Sequence, residues 1–201
     1  MASFIIFEGG DGSGKSTQAR NLLRRLRRRG LDALLTHEPG GTPLGEALRR
    51  VLKSGPAMSP VSELFLFEAA RAQLVDTLIR PALAEGRTVV ADRYVASTVA
   101  YQAYGRDLDR NLVDRLNREA TGGLMPDLTI FLDLSVDTAL SRIKRPGNDN
   151  FDRAPRDFHQ RIREGYRAQA EANSDKWLVL DGTGTTRDLG RRIWEKVQPL
   201  L

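Results

Sequence analysis

A short stretch near the start of the chain constrains the fold more than any other feature. Residues 8–17 read EGGDGSGKST, which fits the pattern G-x-x-x-x-G-K-[ST] through Gly9, Gly14, Lys15 and Ser16. An apolar run of strand length, 4–7, precedes it, and residues 18–28 follow with helical spacing. Because a strand, a loop and a helix are the context that this pattern requires, the sequence predicts a phosphate-binding loop.

The residue types in this loop suit a polyphosphate. Glycines at positions 9, 10, 12 and 14 let the backbone turn sharply and direct N–H groups inward, beside the positive end of the next helix. Lys15 would reach the outer phosphates, and the Ser16 hydroxyl would bind a magnesium ion that bridges them. A glycine-rich turn before a helix is the simpler alternative, but pattern, position and flanking segments agree on phosphate binding.

Length and composition constrain the fold and the function less strongly than this loop does. The length of 201 residues suits one domain, and we expect a single domain over 1–201. Lys and Arg number 31 against 26 Asp and Glu, a net charge of +5 that suits an anionic ligand and also non-specific binding of nucleic acid. The sequence has no cysteine, no apolar run of membrane-spanning length and no secretory leader. We therefore expect a cytoplasmic protein without membrane contact.

Short apolar runs alternate with longer helical patterns along the chain. The strand candidates are 4–7, 33–36, 88–91, 129–132 and 177–180. The later helix candidates are 43–53, 60–83, 96–102, 110–120, 136–144, 156–173 and 187–197. Such alternation predicts an α/β fold in which helices cover both faces of a parallel five-stranded sheet.

The first helix ends in a run of arginines. They are Arg24, Arg25, Arg27, Arg28 and Arg29. A nucleic-acid patch is one interpretation, but basic residues in a last turn also interact favourably with the helix dipole, and Gly30 ends the helix. We favour a solvated helix end.

The turn after the second strand, residues 38–46, reads EPGGTPLGE. Pro39, Gly40 and Gly41 predict a tight, exposed turn, and Thr42 can cap a helix that begins at Pro43. Since the carboxyl ends of parallel strands lie at one edge of a sheet, this turn should open beside the phosphate-binding loop. We favour a ligand contact over a simple connection.

Arg71 interrupts an apolar helix face. Leu64, Phe67, Leu74 and Leu78 share that face at helical spacing. A guanidinium on such a face needs hydrogen-bond acceptors, and the phenylalanine one turn earlier offers a flat partner, so the pair suits a nucleobase. An arginine that snorkels beside a core phenylalanine fits equally well.

Asp92 and Arg93 follow the third strand, at the edge where ligands of such sheets bind. Asp92 can hold magnesium through a water molecule, and Arg93 can bind a phosphate with two N–H groups. A surface ion pair between the two residues is the alternative.

Polar residues recur at one-turn spacing shortly afterwards. Ser97 lies one helical turn before Tyr101, and Thr98 one turn before Gln102. Two polar rows can therefore face a ligand.

Residues 142–156, RIKRPGNDNFDRAPR, form a basic segment that glycine and proline interrupt. The segment suits a short lid that closes over phosphates and brings a cation to the charge that develops during transfer. The candidate cations are Arg142, Lys144, Arg145 and Arg153. An ordinary solvated loop is the alternative.

Taken in order, these segments resemble the bacterial thymidylate kinases over nearly the whole chain. The resemblance rests on FEGGDGSGKST, EPGGTPLGE, LFEAARAQ, DRYVASTVAYQ and the basic segment with Asp152 and Arg153. It implies a P-loop NTPase-type fold with a short lid at about 142–156. It also implies an enzyme that phosphorylates dTMP to dTDP with magnesium ATP, a step in dTTP synthesis for DNA replication. A homodimer is implied as well, and we expect no specific nucleic-acid binding.

The resemblance assigns donor-side roles residue by residue. The ATP loop would comprise Gly9, Gly10, Asp11, Gly12, Ser13, Gly14, Lys15, Ser16 and Thr17. Ser16 matches a metal position and Asp92 a metal-linked aspartate. Asp11 matches a loop carboxylate that faces the sugar of the acceptor. The implied catalytic residues are Lys15, Asp11, Arg93 and Arg153.

Further positions match the acceptor site. They are Glu38, Phe67, Arg71, Arg93, Ser97, Thr98, Tyr101 and Gln102. Phe67 matches the ring that stacks on thymine, and Arg71 the residue that bonds its carbonyl edge. Arg93 matches the arginine on the acceptor phosphate. Tyr101 matches the ring that disfavours a ribose 2′-hydroxyl, and the other positions surround the base or lie near the acceptor.

Two departures concern the transition-state cations. Gly12 stands where one branch of the family has an arginine, so the chain resembles the branch whose lid supplies these cations. Arg153 is then the favoured lid residue, although Ala154 and Pro155 replace the acidic continuation often seen after Asp-Arg.

Two other functions compete with this interpretation. One is a kinase for another nucleotide or a nucleoside. The other is a nucleotide switch or a nucleic-acid-binding protein, although the sequence has no N-K-x-D motif for reading guanine.

Overall fold

The computed structural model of the chain describes residues 2–142, 151 and 153–201. Five parallel strands form one sheet in the order β2-β3-β1-β4-β5. They are β1 (Phe4–Glu8), β2 (Ala33–His37), β3 (Thr88–Asp92), β4 (Leu128–Asp133) and β5 (Trp177–Asp181). The predicted strands and the predicted α/β fold are confirmed.

Every strand extends one residue beyond its predicted carboxyl end. The prediction stopped at the last apolar residue, but the backbone ladder continues through the polar one, as in the pairs His37 with Asp92 and Asp133 with Asp181. Ladder hydrogen bonds need only the backbone, so a polar side chain at a strand end does not break them. The polar ends all lie at the same edge of the sheet.

Helices cover both faces of the sheet. They are α1 (Lys15–Arg28), α2 (Pro43–Ser54), α3 (Pro60–Leu74), α4 (Arg80–Ala84), α5 (Val95–Thr98), α6 (Arg110–Thr121), α7 (Val136–Ser141), α8 (Arg156–Ala172) and α9 (Thr186–Val197). Alternate residues of β1 face opposite sides, as the strand period requires. Ile5 and Phe7 pack with α1 and α9, whereas Phe4 and Ile6 pack with the end of α3. In the described part of the chain, no helix has the length and hydropathy needed to cross a membrane.

Two predicted helices contain π-helical segments. The predicted helix 60–83 is α3, a π-helical turn at Val75–Ile79, and α4. The predicted helix 96–102 is α5 followed by the π-helix Val99–Gly105. Such segments occur often at functional sites, and here the second one carries Tyr101 and Gln102. The predicted helix 136–144 ends at Ser141, and its last two positions lie outside the described residues.

The turn before α2 is tight, as predicted, but the prediction that it is exposed was wrong for Pro39 and Gly40, which are buried. A Cβ on Gly40 would lie 2.4 Å from His37 Nε2, so side chains pack directly against the backbone there. The predicted cap is confirmed, because the Thr42 hydroxyl accepts the Gly45 N–H at 2.9 Å.

The arginine run at the end of α1 makes contacts within the chain. Arg25 and Arg29 lie over the ring of the buried Trp194, at 4.3 and 4.6 Å from its centre. Arg27 donates two hydrogen bonds to the Ala33 carbonyl. These contacts attach α1 to α9 and β2. Four of the five arginines are exposed, as a solvated helix end predicts.

Candidate active site

A cleft of about 370 Å³ opens at the carboxyl edge of the sheet, where β1, β3 and β2 end side by side. The predicted acceptor-site residues all line it, together with Asp11, Lys15, Ser16 and Asp92 from the predicted donor side. The prediction that the 38–46 turn opens beside the phosphate-binding loop is confirmed, since Glu38 and Lys15 line the same cleft.

The phosphate-binding loop has the geometry that its glycines predict. Gly9, Gly12 and Gly14 adopt positive φ angles of 140°, 80° and 94°. A Cβ on Gly9 would lie 2.7 Å from the Leu132 carbonyl oxygen, and one on Gly12 would lie 2.3 Å from that of Ala139. Because other residues rarely adopt these angles and would collide with backbone, glycine is required at both positions.

Lys15 is buried in the loop, and its Nζ donates to the Gly10 carbonyl at 2.8 Å. Burial and the nearby positive charge of Arg93 lower the pKa of Lys15 to about 8. A polyphosphate beside it would favour the charged form and reverse this shift.

Arg93 forms an ion pair with Asp11 rather than with its neighbour Asp92. Its Nη2 lies 2.8 Å from Asp11 Oδ1 and 3.0 Å from the Tyr101 hydroxyl. Partial burial works against the negative charge of Asp11, but Arg93 and Lys15 outweigh it and hold the pKa of Asp11 below its usual range. Arg93 also has a φ of 77°, which is uncommon outside glycine and places the residue in a sterically costly backbone conformation.

Asp92 accepts a hydrogen bond from the Ser16 hydroxyl. Both groups line the cleft, so a carboxylate and a hydroxyl oxygen stand together beside the loop. In the described ranges, no cluster of three or more His, Cys, Asp and Glu side chains is arranged to hold a metal ion. This sparse, all-oxygen donor set fits Mg²⁺, which commonly takes one or two protein ligands and completes its shell with phosphates and water.

Arg71 does not snorkel; it is 2% exposed and is held by three acceptor side chains. Its Nε and Nη2 donate to Glu38 Oε2 at 2.9 and 2.6 Å. Its Nη1 donates to the Glu68 carboxylate at 3.0 Å and to Asn117 Oδ1 at 2.6 Å. Burial raises the pKa of Glu38 to about 7, because Arg71 only partly offsets burial and Glu68 adds a second negative charge. The guanidinium is therefore fixed at the wall of the cleft.

Some polar atoms in the cleft wall are buried and lack a hydrogen-bond partner among the described residues. They are Thr36 Oγ1, Glu38 Oε1 and Thr98 Oγ1. Such atoms are rare in folded proteins because leaving them unpaired costs free energy. A ligand with polar edges would pair them. Gln102 also lines the cleft, and its Nε2 donates to Glu63 at 2.8 Å.

Arg153, among the predicted catalytic residues, does not line the cleft and is exposed. Arg142 donates to the Gly182 carbonyl at 3.0 Å. Lys144, Arg145 and Asp152 lie outside the described residues. Phe151 from the same segment does line the cleft, with its ring centre 6.0 Å from that of Phe67.

Sequence reasoning missed several residues of this site. Phe151, Thr36, His37, Arg49 and Lys53 line the cleft, and Glu8 and Tyr166 lie behind Arg93. Arg49 and Lys53 lie one turn apart on the helix that the predicted turn introduces, so their spacing was a usable signal. Tyr166 lies far along the chain and carried no local signal.

The fold and the site together define a P-loop nucleotide kinase, with a phosphate-binding loop beside a cleft that contains arginines and an aromatic ring. The thymidylate kinase family model matches residues 7–193. The chain belongs to the thymidylate kinase family, which confirms the resemblance.

Full-length relatives agree with this assignment. A thymidylate kinase of Dehalococcoides mccartyi strain 195 is 46% identical over 203 aligned residues, covering 100% of this chain and 98% of the relative. Thymidylate kinases of Synechococcus sp. strain JA-2-3B'a(2-13) and Thermomicrobium roseum are each 44% identical. The alignments cover 98% and 100% of this chain and 95% and 97% of those relatives.

Proposed function

We propose that the phosphate-binding loop holds ATP and that the cleft holds dTMP with its phosphate toward Lys15. The enzyme phosphorylates dTMP to dTDP with ATP as the donor, a step in dTTP synthesis. The observation that best supports the residue roles is that Lys15, Arg93 and Phe67 line one cleft. This arrangement supports a cleft with a phosphate-binding end and a base-binding end.

On the donor side, residues 9–17 bind the ATP phosphates through their N–H groups and Lys15. Ser16, directly, and Asp92, through water, hold Mg²⁺. When bound, the ion neutralises phosphate charge as transfer proceeds.

On the acceptor side, Arg93 binds the dTMP phosphate and Phe67 stacks on thymine. Arg71 and Thr98 bond the polar edge of the base, with Gln102 nearby. Glu38 and Asp11 face the acceptor, and Tyr101 disfavours a ribose 2′-hydroxyl. Arg71 suits this role because one of its N–H groups remains to bond the base. Glu38, Glu68 and Asn117 accept hydrogen bonds from the others.

Phosphoryl transfer needs two anions aligned and their repulsion cancelled, rather than a strong general base. Lys15 and Arg93 supply fixed positive charge at the two phosphates. The lid over 142–156 supplies the remaining cation, with Arg153 as the favoured residue. We propose that residues 1–201 form a single domain that includes this lid.

A panel of monophosphates tests the acceptor. With magnesium ATP in excess, ADP release should be fastest with dTMP. A single base methyl is worth only about 1–3 kcal/mol, so dUMP should react roughly 10- to 200-fold less efficiently rather than not at all. Faster release with AMP, GMP or thymidine would overturn the assignment.

A substitution in the loop tests the donor side. Lys15→Ala should lower turnover by about 10²-fold or more, because it removes preorganised charge from the transferred group, while dTMP binding changes little. Lys176→Ala removes an exposed lysine and should match the wild type. Equal turnover in both variants would remove Lys15 from the mechanism.

We also propose a homodimer that forms through α2 and α3. These neighbouring helices expose Leu44 and Val51 on one, and Val61 and Phe65 on the other, with Phe65 53% exposed. Exposed apolar side chains on neighbouring helices are typical of a protein interface. Light scattering should give twice the chain mass, and Phe65→Glu should give one chain mass. Met125→Glu, at a residue that is 58% exposed elsewhere, should stay dimeric; a monomeric wild type would contradict the proposal.

A cytoplasmic location remains a prediction from the sequence.

A further inference from the structure

A buried polar cluster lies directly behind Arg93. Glu8, at the end of β1, is completely buried, and Tyr166 comes from the distant helix α8. Ser97 stands between them. None of the roles assigned above uses Glu8 or Tyr166.

Glu8 is the common acceptor of this cluster. Its Oε1 accepts the Tyr94 and Ser97 N–H groups at 2.9 and 3.2 Å. Its Oε2 lies 2.6 and 3.0 Å from the Ser97 and Tyr166 hydroxyl oxygens, which lie 2.8 Å from each other. Each hydroxyl has a single hydrogen, so either both donate to Glu8 or one donates to Glu8 and the other to its neighbour. In every arrangement both hydroxyls keep a lone pair for a further donor.

Those lone pairs face Arg93. Its Nη1 lies 3.1 Å from the Ser97 hydroxyl and 3.1 Å from the Tyr166 hydroxyl. A guanidinium has only donors, so both hydroxyls accept from Nη1, and Glu8 takes their hydrogens directly or through the other hydroxyl. Asp11 binds the other terminal nitrogen, Nη2. Burial raises the pKa of Glu8, and the positive charge of Arg93 opposes that rise. The charge of Arg93 therefore favours the ionised form of Glu8.

The position of Tyr166 is itself fixed. Its ring stacks on Phe131 with centres 5.3 Å apart. On either side of it in α8, Arg163 and Arg167 form ion pairs with Asp133, at 2.6 and 2.7 Å. The tyrosine ring is therefore held against the end of β4, while its hydroxyl reaches Glu8 and Arg93.

Arg93 needs such support because its backbone has a φ of 77°. A strained conformation persists only where the surroundings hold it. The Arg93 N–H donates to the Phe7 carbonyl at 2.9 Å, which fixes the backbone, and the cluster fixes the guanidinium.

We infer that Glu8 and Tyr166 are positioning residues for Arg93, which they hold in the orientation that receives the acceptor phosphate. This inference rests on the proposed role of Arg93. It goes beyond that role because it assigns a kinetic function to two residues that do not line the cleft.

Tyr166→Phe tests the inference with little disturbance, because the phenyl ring keeps the stack on Phe131. Loss of one hydrogen bond to a charged group should lower kcat/KM for dTMP about tenfold, mostly through a higher KM for dTMP. The KM for ATP should stay within about twofold, since the phosphate-binding loop is unchanged.

Tyr94→Phe is the matched control. It also removes a hydroxyl from a buried tyrosine, but that hydroxyl donates to the Leu124 carbonyl at 3.0 Å, away from Arg93. It should lower thermal stability to a similar extent and leave the KM for dTMP unchanged. Equal kinetic losses in Tyr94→Phe and Tyr166→Phe would indicate a merely structural role and overturn the inference.

Glu8→Gln gives a second test if Tyr166→Phe does not fold. The amide would donate toward the two hydroxyls, so at least one of their hydrogens would turn toward Arg93 and the KM for dTMP should rise at least as much. An unchanged KM for dTMP in either folded variant would overturn the inference.

Arg93→Ala separates this inference from the proposed function. If Arg93→Ala leaves dTMP kinetics unchanged, the proposed role of Arg93 fails. If Arg93→Ala weakens dTMP binding and Tyr166→Phe adds no further loss in that background, the residues act as one unit, as inferred. Independent, additive losses would contradict the inference.

Discussion

Replacing Gly12 by alanine tests the geometry of the phosphate-binding loop. Gly12 has a φ of 80°, and a Cβ there would lie 2.3 Å from the Ala139 carbonyl oxygen in α7. The left-handed backbone costs about 1–2 kcal/mol for a residue with a Cβ. Displacing a close-packed neighbour costs about 1–3 kcal/mol more. We expect Gly12→Ala to lose roughly 2–5 kcal/mol of stability.

For a chain of this size a loss of about 3 kcal/mol lowers Tm by roughly 6–12 °C, which thermal unfolding without nucleotide measures easily. Gly10→Ala is the control in the same loop, because its backbone angle is ordinary and no atom lies within 4 Å of the added Cβ. Gly10→Ala should have the same Tm as the wild type. Equal midpoints for Gly12→Ala and Gly10→Ala would refute the packing of the loop against α7. The same contact implies that an arginine at position 12 requires α7 to move.

Three further predictions concern the acceptor site and the lid. Arg71→Ala should weaken dTMP binding and leave ATP affinity nearly intact, which titration with each nucleotide measures. The same substitution should destabilise the fold by about 3–5 kcal/mol, because two buried carboxylates lose their cation. Burial raises the pKa of Glu38 to about 7, so its contribution to stability is complete below its unfolded pKa of 4.5 and is lost as the pH rises through 7. Urea unfolding of Glu38→Gln should show a smaller decline over that interval, and an unchanged decline would contradict the shift. Arg153→Ala should lower turnover with little change in dTMP binding. An unaffected turnover would indicate that another lid cation has this role.

The fold was predictable from sequence because its signals are local. Apolar runs, glycine turns and helix caps lie within a few residues of the elements that they specify, as at Thr42 and Pro43. The π-helical segments were not predictable, since the residues of Val99–Gly105 also suit an ordinary α-helix.

The site residues that belong to local sequence motifs were predictable. The residues that only tertiary packing brings to the site were not. The partners of Arg71 come from the turn after β2, from α3 and from α6, and no spacing along the chain brings Glu38 and Asn117 together. Tyr166 reaches Arg93 across 73 residues of sequence. Phe151 occurs in a basic, glycine-containing segment, where an apolar contact with the cleft had no periodic signal.

A crystal structure with bound dTMP shows directly whether the acceptor occupies this cleft. We expect its phosphate to contact the Arg93 guanidinium and face Lys15, while the thymine ring lies against Phe67 with a carbonyl toward Arg71. A dTMP molecule bound outside this cleft, or bound with its base beside Lys15, would contradict it.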